Sequence, residues 1–331
     1  MRSWRETLIA GTGHCLPERA VSNEETVTRM NTTVRFIEER TGVLNRYHVE
    51  PSMGLQDLLV PAAHMALEQA GLTPADVDLL IVNTLSPDFH DPSEACLIQA
   101  RLGLGAVPAF DIRAQCTGLI YGMHLGRNLI ATGAHRCVLL LCGEVLSKRM
   151  DTSDSGRNLS ILLGDGAGAV VLTAAPEGSA EGFRDVIVKA DGRFYELLWT
   201  QGPGTAAPHF NDPAACPYFR MNGKPMFAHA VENFTAVCHE ILLRNGLRLA
   251  DIDVVIPHQP NLRILEEVIA RLELDPGKVE TNVAELGNMA SASLPVTLSR
   301  YRHSARYQPG QLVLLVGYGS GATWGAALYQ F

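Results

Sequence analysis

Cys116 follows the apolar stretch Ala109–Ile112 and precedes Thr117-Gly118, which puts a thiol between a predicted strand end and a helix predicted to start near Thr117. There the positive end of the helix macrodipole and free backbone N–H groups favour the thiolate, the nucleophilic form. The plainer account is a buried, inert cysteine, as expected for most of the other six. His258 lies in Pro257-His258-Gln259-Pro260-Asn261, just past the apolar run Val254-Val255-Ile256. Strand ends of this kind carry functional groups in α/β folds, although alone it reads as a histidine bonded to its own loop. Asn288, in Glu285-Leu286-Gly287-Asn288-Met289-Ala290-Ser291-Ala292-Ser293, reads alone as a turn residue ahead of a helix. Gly317-Tyr318-Gly319-Ser320-Gly321 follows a buried strand; it is either a tight turn or a close-approach loop whose N–H groups hold an oxyanion. Singly these signals are weak. Together, a cysteine, a histidine, an asparagine and a donor loop, each near a strand end, point to covalent catalysis with charge stabilisation.

Other patterns are set aside. Gly11-Thr12-Gly13-His14-Cys15-Leu16 begins like a dinucleotide loop, but Leu16 stands where its third glycine belongs. Cys137 and Cys142 are too loosely spaced, and lack the neighbours, for zinc. Gly164-Asp165-Gly166-Ala167-Gly168 reads as a structural turn. The 331 residues are 47% hydrophobic and 19% charged, as in an ordered globular protein with room for two domains. The net charge of −8, from 35 acidic and 27 basic residues, argues against nucleic acid as a partner while leaving space for a local basic patch. No apolar run reaches membrane-spanning length, and polar Met1–Arg5 leads straight into Thr7-Leu8-Ile9-Ala10, so neither a membrane segment nor a signal peptide is expected. Seven scattered cysteines suit free thiols in a reducing cytoplasm.

The elements that would position these groups alternate between strand and helix. A strand at Leu8–Gly11 precedes helices near 22–41, where Ser22 and Glu25 have capping-box spacing. A helix near 55–70 and a strand at Asp78–Val82 follow. Asp91-Pro92 reads as an N-cap and first helical residue of a helix ending near Leu102. Val138–Leu141 and Gly168–Leu172 are predicted strands, the first with the uninterrupted apolar run of a sheet buried on both faces. Phe227, Ala230, Val231, Phe234, Val237, Cys238, Ile241 and Leu242 keep the spacing of a core-facing helix. The plan then repeats. Gly71-Leu72-Thr73-Pro74-Ala75-Asp76-Val77-Asp78-Leu79-Leu80-Ile81 matches Gly246-Leu247-Arg248-Leu249-Ala250-Asp251-Ile252-Asp253-Val254-Val255-Ile256, and Cys137–Leu141 matches Gln311–Leu315. Two matches in register imply a duplicated α/β domain, divided at 1–173 and 174–331, with 174–222 as a less regular connection.

These motifs, taken in order, resemble the β-ketoacyl-acyl-carrier-protein synthase III family of condensing enzymes and its relatives in specialised metabolism. The resemblance runs along nearly the whole chain. It is carried by Arg40-Thr41-Gly42, Gln115-Cys116-Thr117-Gly118, Leu163-Gly164-Asp165-Gly166-Ala167-Gly168-Ala169, His258-Gln259-Pro260-Asn261-Leu262-Arg263-Ile264, Gly287–Ser293 and Thr323-Trp324-Gly325. Leu163 replaces a frequent phenylalanine.

The resemblance implies a five-layered αβαβα thiolase-like fold of two related halves, normally a homodimer, with no metal and no cofactor beyond coenzyme A as a thioester substrate. It implies that Cys116 takes an acyl group from acyl-CoA and that His258 and Asn288 stabilise the enolate of a decarboxylating malonyl-acyl-carrier-protein. The N–H groups of Cys116 and Ser320 would hold the oxyanion. Arg40, Lys224, Asn261 and Arg263 fall where the family binds CoA or carrier protein, and Arg157 matches its partner for the adenine. Phe36 stands in place of the tryptophan that stacks on that base. Asp91 occupies a position where a phenylalanine from the neighbouring subunit often shapes the acyl pocket, and Ala322 replaces another phenylalanine. Together these imply a primer other than acetyl. Acyl transfer to an oxygen, nitrogen or sulfur acceptor without decarboxylation is a second reading, and a non-catalytic partner subunit a third.

Overall fold

The structure is a computed structural model that describes residues 6–206 and 216–331. Met1–Arg5 and the 207–215 part of the expected connection lie outside the described residues. The strands are β1 (Thr7–Cys15), β2 (Ala20–Ser22), β3 (Asn45–Tyr47), β4 (Leu79–Asn83), β5 (Ala109–Ile112), β6 (Cys137–Glu144) and β7 (Gly166–Ala174), followed by β8 (Gly182–Ala190), β9 (Leu198–Trp199), β10 (Arg220–Met221), β11 (Val254–Pro257), β12 (Leu312–Gly319) and β13 (Thr323–Gln330). The helices are α1 (Asn23–Thr26), α2 (Val34–Thr41), α3 (Gln56–Ala70), α4 (Glu94–Leu102) and α5 (Gly118–Ala131), then α6 (Arg157–Ser160), α7 (Gly223–Arg244), α8 (Leu262–Arg271), α9 (Val283–Leu286) and α10 (Ser293–Arg302).

Two sheets carry the architecture. One runs β1-β7-β6-β4-β5, the other β11-β12-β13-β8. Helices α5 and α10 lie between them, α3 and α4 cover the outer face of the first, and α7 and α8 that of the second. This is the five-layer order that the resemblance implies. The central layer buries Leu119, Ile120, Met123, Leu294 and Leu298 against Ile81, Leu140, Ile256 and Leu315. β4 and β6 are buried at every position because helices cover both faces, which explains their unbroken apolar runs.

The sequence repeat folds twice in the same way. Asp76 accepts the Thr73 N–H at 2.8 Å, and Asp251 accepts the Arg248 N–H at 2.8 Å. Asp78 then accepts the Arg136 and Cys137 N–H groups at the start of β6, as Asp253 accepts that of Leu312 at the start of β12. Each aspartate fixes where a central strand begins.

Several expectations are corrected. Asp91 does not cap α4: the helix starts at Glu94, and the N–H groups of Glu94 and Ala95 are accepted at 2.8 Å each by the carboxylate of Asp111 on β5. A tertiary neighbour supplies the cap, and Asp91 stays exposed. The supposedly irregular stretch contains β8, an edge strand held by antiparallel pairing to β13. Gly11 and Gly13 lie inside β1, not in a loop. A Cβ on either would come within 2.1 Å of a carbonyl oxygen of α3, so the helix backbone lies directly on the strand. Ser22 does accept the Glu25 N–H at 3.3 Å, but the Glu25 carboxylate turns to Arg19 and Arg29 instead of closing the box.

Candidate active site

A cavity of about 1090 Å³ is lined by Cys116, His258, Asn288 and Ser320 together with Arg40, Lys224, Asn261 and Arg263. Phe36, Arg157, Asp91 and Ala322 do not line it. Residues from both halves therefore meet in one space.

Cys116 sits in a single 3₁₀ turn, Gln115–Thr117, between β5 and α5. Asn83 at the end of β4 holds this turn, accepting the Ala114 N–H at 2.9 Å and donating to the Gln115 carbonyl at 3.2 Å. A Cβ on Gly118 would lie 2.1 Å from Asn83 Cγ, so α5 can start only on glycine. Cys116 is 7% exposed. Burial pushes its thiol up to about 12, the Glu144 carboxylate adds to this, and only its own backbone hydrogen bond pulls it down. Burial thus acts against the thiolate that the helix end favours.

His258 is 1% exposed and is seated by its backbone N–H, which donates to the Val316 carbonyl at 2.8 Å. Burial lowers its imidazole to about 3, so the ring is neutral. Its Nδ1 is buried without a hydrogen-bond partner among the described residues. Gln259 sets the loop. Its Nε2 donates to the Pro257 and Glu280 carbonyls, and its Oε1 accepts the N–H groups of Asn282 and Val283. Asn288 is pinned by its backbone to Leu162 and Gly164. Its Nδ2 donates to the Pro260 carbonyl at 3.1 Å and its Oδ1 accepts the Ala290 N–H at 2.8 Å. One amide hydrogen is left for a ligand.

The glycines of the C-terminal motif admit a close approach. A Cβ on Gly319 would lie 3.0 Å from Cys116 N and 3.2 Å from its Cβ. The end of β12 thus presses directly on the backbone of Cys116. Glu144, which sequence reasoning missed, ties the halves together beneath it. This buried carboxylate accepts from Leu85 N and from the hydroxyls of Thr84, Ser86 and Ser291. Burial raises it to about 7 against the pull of those bonds. Its signal was a carboxylate closing the apolar run Cys137–Cys142.

The 3-oxoacyl-[acyl-carrier-protein (ACP)] synthase III model matches residues 110–192, and its C-terminal model matches residues 242–331. A β-ketoacyl-[acyl-carrier-protein] synthase III of Nitratidesulfovibrio vulgaris is 42% identical over 330 residues, 98% of this chain and 99% of its own length. The chain belongs to the β-ketoacyl-acyl-carrier-protein synthase III family. It is an enzyme of this acyltransferase, condensing type, with the thiolase-like fold. The synthase III of Pseudomonas aeruginosa superposes with a TM-score of 0.90 at 35% identity, covering 99% of this chain and 98% of the other. The priming β-ketosynthase of the R1128 polyketide pathway does so at 0.91 and 31%, covering 99% and 97%.

In this enzyme the cationic side of the cavity is built from α2, α7 and α8, which carry Arg40, Lys224 and Arg263. Asn261 caps α8, accepting the Arg263 N–H at 2.7 Å, and its Nδ2 reaches the Arg40 carbonyl at 3.4 Å. Arg263 Nε donates to the Glu39 carbonyl at 2.9 Å. Phe36 and Arg157 meet each other outside the cavity, with the guanidinium carbon 5.4 Å from the ring centroid. Ala322 is 1% exposed and buried between the second sheet and α7, so it adds no room to this cavity. Tyr318, Leu198 and Met221 also line the space and were not singled out. Tyr318 was visible only as the bulky member of a glycine motif, and Met221 and Leu198 fell in the stretch read as irregular. Among the described residues, no cluster of three or more His, Cys, Asp or Glu is placed to hold a metal ion, and no helix is long and apolar enough to cross a membrane.

Proposed function

We propose that this enzyme carries out a decarboxylative Claisen condensation of an acyl-CoA primer with malonyl-acyl-carrier-protein, with Cys116, His258 and Asn288 as its catalytic residues. The observation that carries this is their convergence from both halves on one cavity. Cys116 Sγ attacks the acyl-CoA carbonyl. Its proton passes by way of neutral His258 to the departing coenzyme A thiol, leaving acyl-Cys116. The malonyl thioester then loses carbon dioxide, and N–H donors of His258 and Asn288 hold the enolate oxygen. The carbanion attacks the acyl carbonyl, whose oxyanion is held by the Cys116 and Ser320 N–H groups. Collapse releases the β-ketoacyl product and expels Cys116 as a thiolate, which takes up a proton from solvent by way of His258 and returns to the thiol. Arg40, Lys224, Asn261 and Arg263 receive the anionic parts of CoA and the acidic carrier protein. Arg157 and Phe36 meet the adenine, and Asp91 bears on primer choice.

The same reading includes two halves divided at 1–173 and 174–331, a cytoplasmic setting and a homodimer. The dimer is supported by β5, which stands at the edge of the first sheet with half-buried Phe110 and Ile112, and by exposed Phe89 in the connection from β4 to α4. The test is intact-protein mass after incubation with acyl-CoAs of graded length, followed by malonyl-acyl-carrier-protein. An acyl adduct absent in Cys116→Ala, then converted to a β-ketoacyl product with release of carbon dioxide, is expected. An adduct that passes to another acceptor without carbon dioxide would mean simple acyl transfer. No adduct with any donor would refute the reading.

A further inference from the structure

The turn that follows β12 is held by a polar unit that the condensation chemistry does not itself require. Tyr318 precedes this turn, Trp324 follows it, and the two pair across the β12–β13 ladder. Tyr318 is 6% exposed and belongs to the core between the second sheet and α7. Gly317 and Gly319 face the Cys116 backbone, so the phenol ring, one residue on from either, leans toward α7 while still lining the cavity. There its hydroxyl lies 2.9 Å from Nδ1 of His229 on α7.

His229 is clamped by residues from both sides of the turn. Its ring is 5.7 Å from that of Tyr318 and 6.0 Å from that of Trp324, each edge-on, and 4.1 Å from that of Phe194. Phe194 belongs to the segment after Asp191, and Asp191 exchanges both backbone hydrogen bonds with Ala322, at 2.9 and 3.1 Å. Before the turn, after it and alongside it, the contacts converge on one imidazole. The amide of Asn233 also approaches Nδ1, at 3.3 Å, with Nδ2 donating to the His229 carbonyl at 2.8 Å. With the Tyr318 hydroxyl and the Asn233 amide both offering hydrogens, Nδ1 is the acceptor and Nε2 carries the proton.

We propose that His229 and Tyr318 are positioning residues for the oxyanion turn, which is correctly set only while His229 Nδ1 accepts the Tyr318 hydroxyl. The proposal rests on the reading of residues 319–321 as that turn. A protonated His229 would set an Nδ1–H against the Asn233 amide and reverse the bond to Tyr318, with the phenol hydrogen forced to swing away from the ring, so the unit no longer packs as it does around the neutral imidazole. Gly319 packs against the Cys116 backbone with no side chain between them, so a displaced Tyr318 moves a donor relative to the acyl carbonyl. The charged and titratable groups facing His229 are Glu232 on its own helix, Asp191 with its partner Arg193, and Tyr318. Burial outweighs the two carboxylates and lowers the imidazole below its ordinary 6.5, so the pair is intact at neutral pH and fails on acidification.

The experiment is the pH profile of kcat for β-ketoacyl formation in the full-length enzyme, for wild type, Tyr318→Phe and His229→Asn. Wild type should lose rate on an acidic limb below pH 6.5. Tyr318→Phe should show kcat about tenfold lower at pH 7.5, an unchanged KM for acyl-CoA, and no such limb. His229→Asn puts a neutral acceptor where Nδ1 was and should restore the rate with no limb. Any limb from Glu144 near 7 would persist in all three. Thermal melts confirm that each variant is folded. Wild-type kcat with an unchanged acidic limb in Tyr318→Phe would overturn the proposal, as would a His229→Asn enzyme as slow as Tyr318→Phe. Absence of an acyl-enzyme in wild type would instead strike the functional reading beneath it.

Discussion

A thiol held near 12 is a weak nucleophile until its proton is taken. In the free enzyme the thiolate fraction of Cys116 rises about tenfold per pH unit across the neutral range. Iodoacetamide labelling of Cys116, read by peptide mapping to separate it from the more exposed Cys15, Cys96 and Cys216, should therefore climb steadily from pH 6 to 9. A rate already level at pH 7 would show that the helix end outweighs burial. His258 stays neutral throughout that range, which suits it to exchange protons with sulfur and to donate to an enolate. Asn288 offers an amide hydrogen at a point where negative charge is proposed to gather. Asn288→Asp would place a carboxylate there, and decarboxylation should fall by roughly 10²–10³-fold while acyl loading of Cys116 persists. Equal loss of both steps would argue against an enolate-specific role.

At the scale of elements, glycine spacing reports where backbones touch. Gly13 lies in β1 under α3, where an added Cβ would sit 2.1 Å from the Ala62 carbonyl and 2.6 Å from the Ala66 N. Both are backbone atoms of one helix, so neither can yield by changing rotamer. Gly13→Ala should destabilise the fold by about 3 kcal/mol, read as a lower denaturant midpoint at constant slope; an unchanged midpoint would mean that α3 lifts off the strand freely. The helix stripe from Phe227 to Leu242 needed no such neighbour to be legible, because its period alone marks one buried face, and Ala230 to Leu242 of that stripe are buried as it requires. The cap of α4 was not legible. Asp111 is 17 residues from the N–H of Glu94 that it accepts, and no local rule links them.

At the scale of the molecule, the site exists only where the halves meet. Thr117 and Thr323 hydroxyls lie 2.9 Å apart, Ser291 reaches Glu144, and Gly319 abuts Cys116. Gly319→Ala would insert a methyl group 3.0 Å from Cys116 N. Acyl loading should slow by roughly 10²-fold with little change in melting temperature, because the two backbones can part slightly without unfolding. Loading at the wild-type rate would mean that the turn is not set by this contact.

Composition, periodicity and the paired repeat pointed to a duplicated α/β plan, motifs at strand ends singled out Cys116, His258 and Asn288, and the resemblance carried by those motifs supplied the five-layered fold. All of these depend on local pattern: apolar runs for covered strands, helical spacing for one-sided helices, and motifs that stand at strand ends. The tertiary structure alone set the desolvation that bears on the ionisation of Cys116 and His258, because burial depends on what the chain folds over them. It alone gave the Asp111 carboxylate its remote partners on α4 and hid Ala322 between sheet and helix. It also joined His229 to Tyr318 across 89 residues of sequence. Such a hydrogen bond between two elements leaves no period in the sequence by which either residue could announce the other.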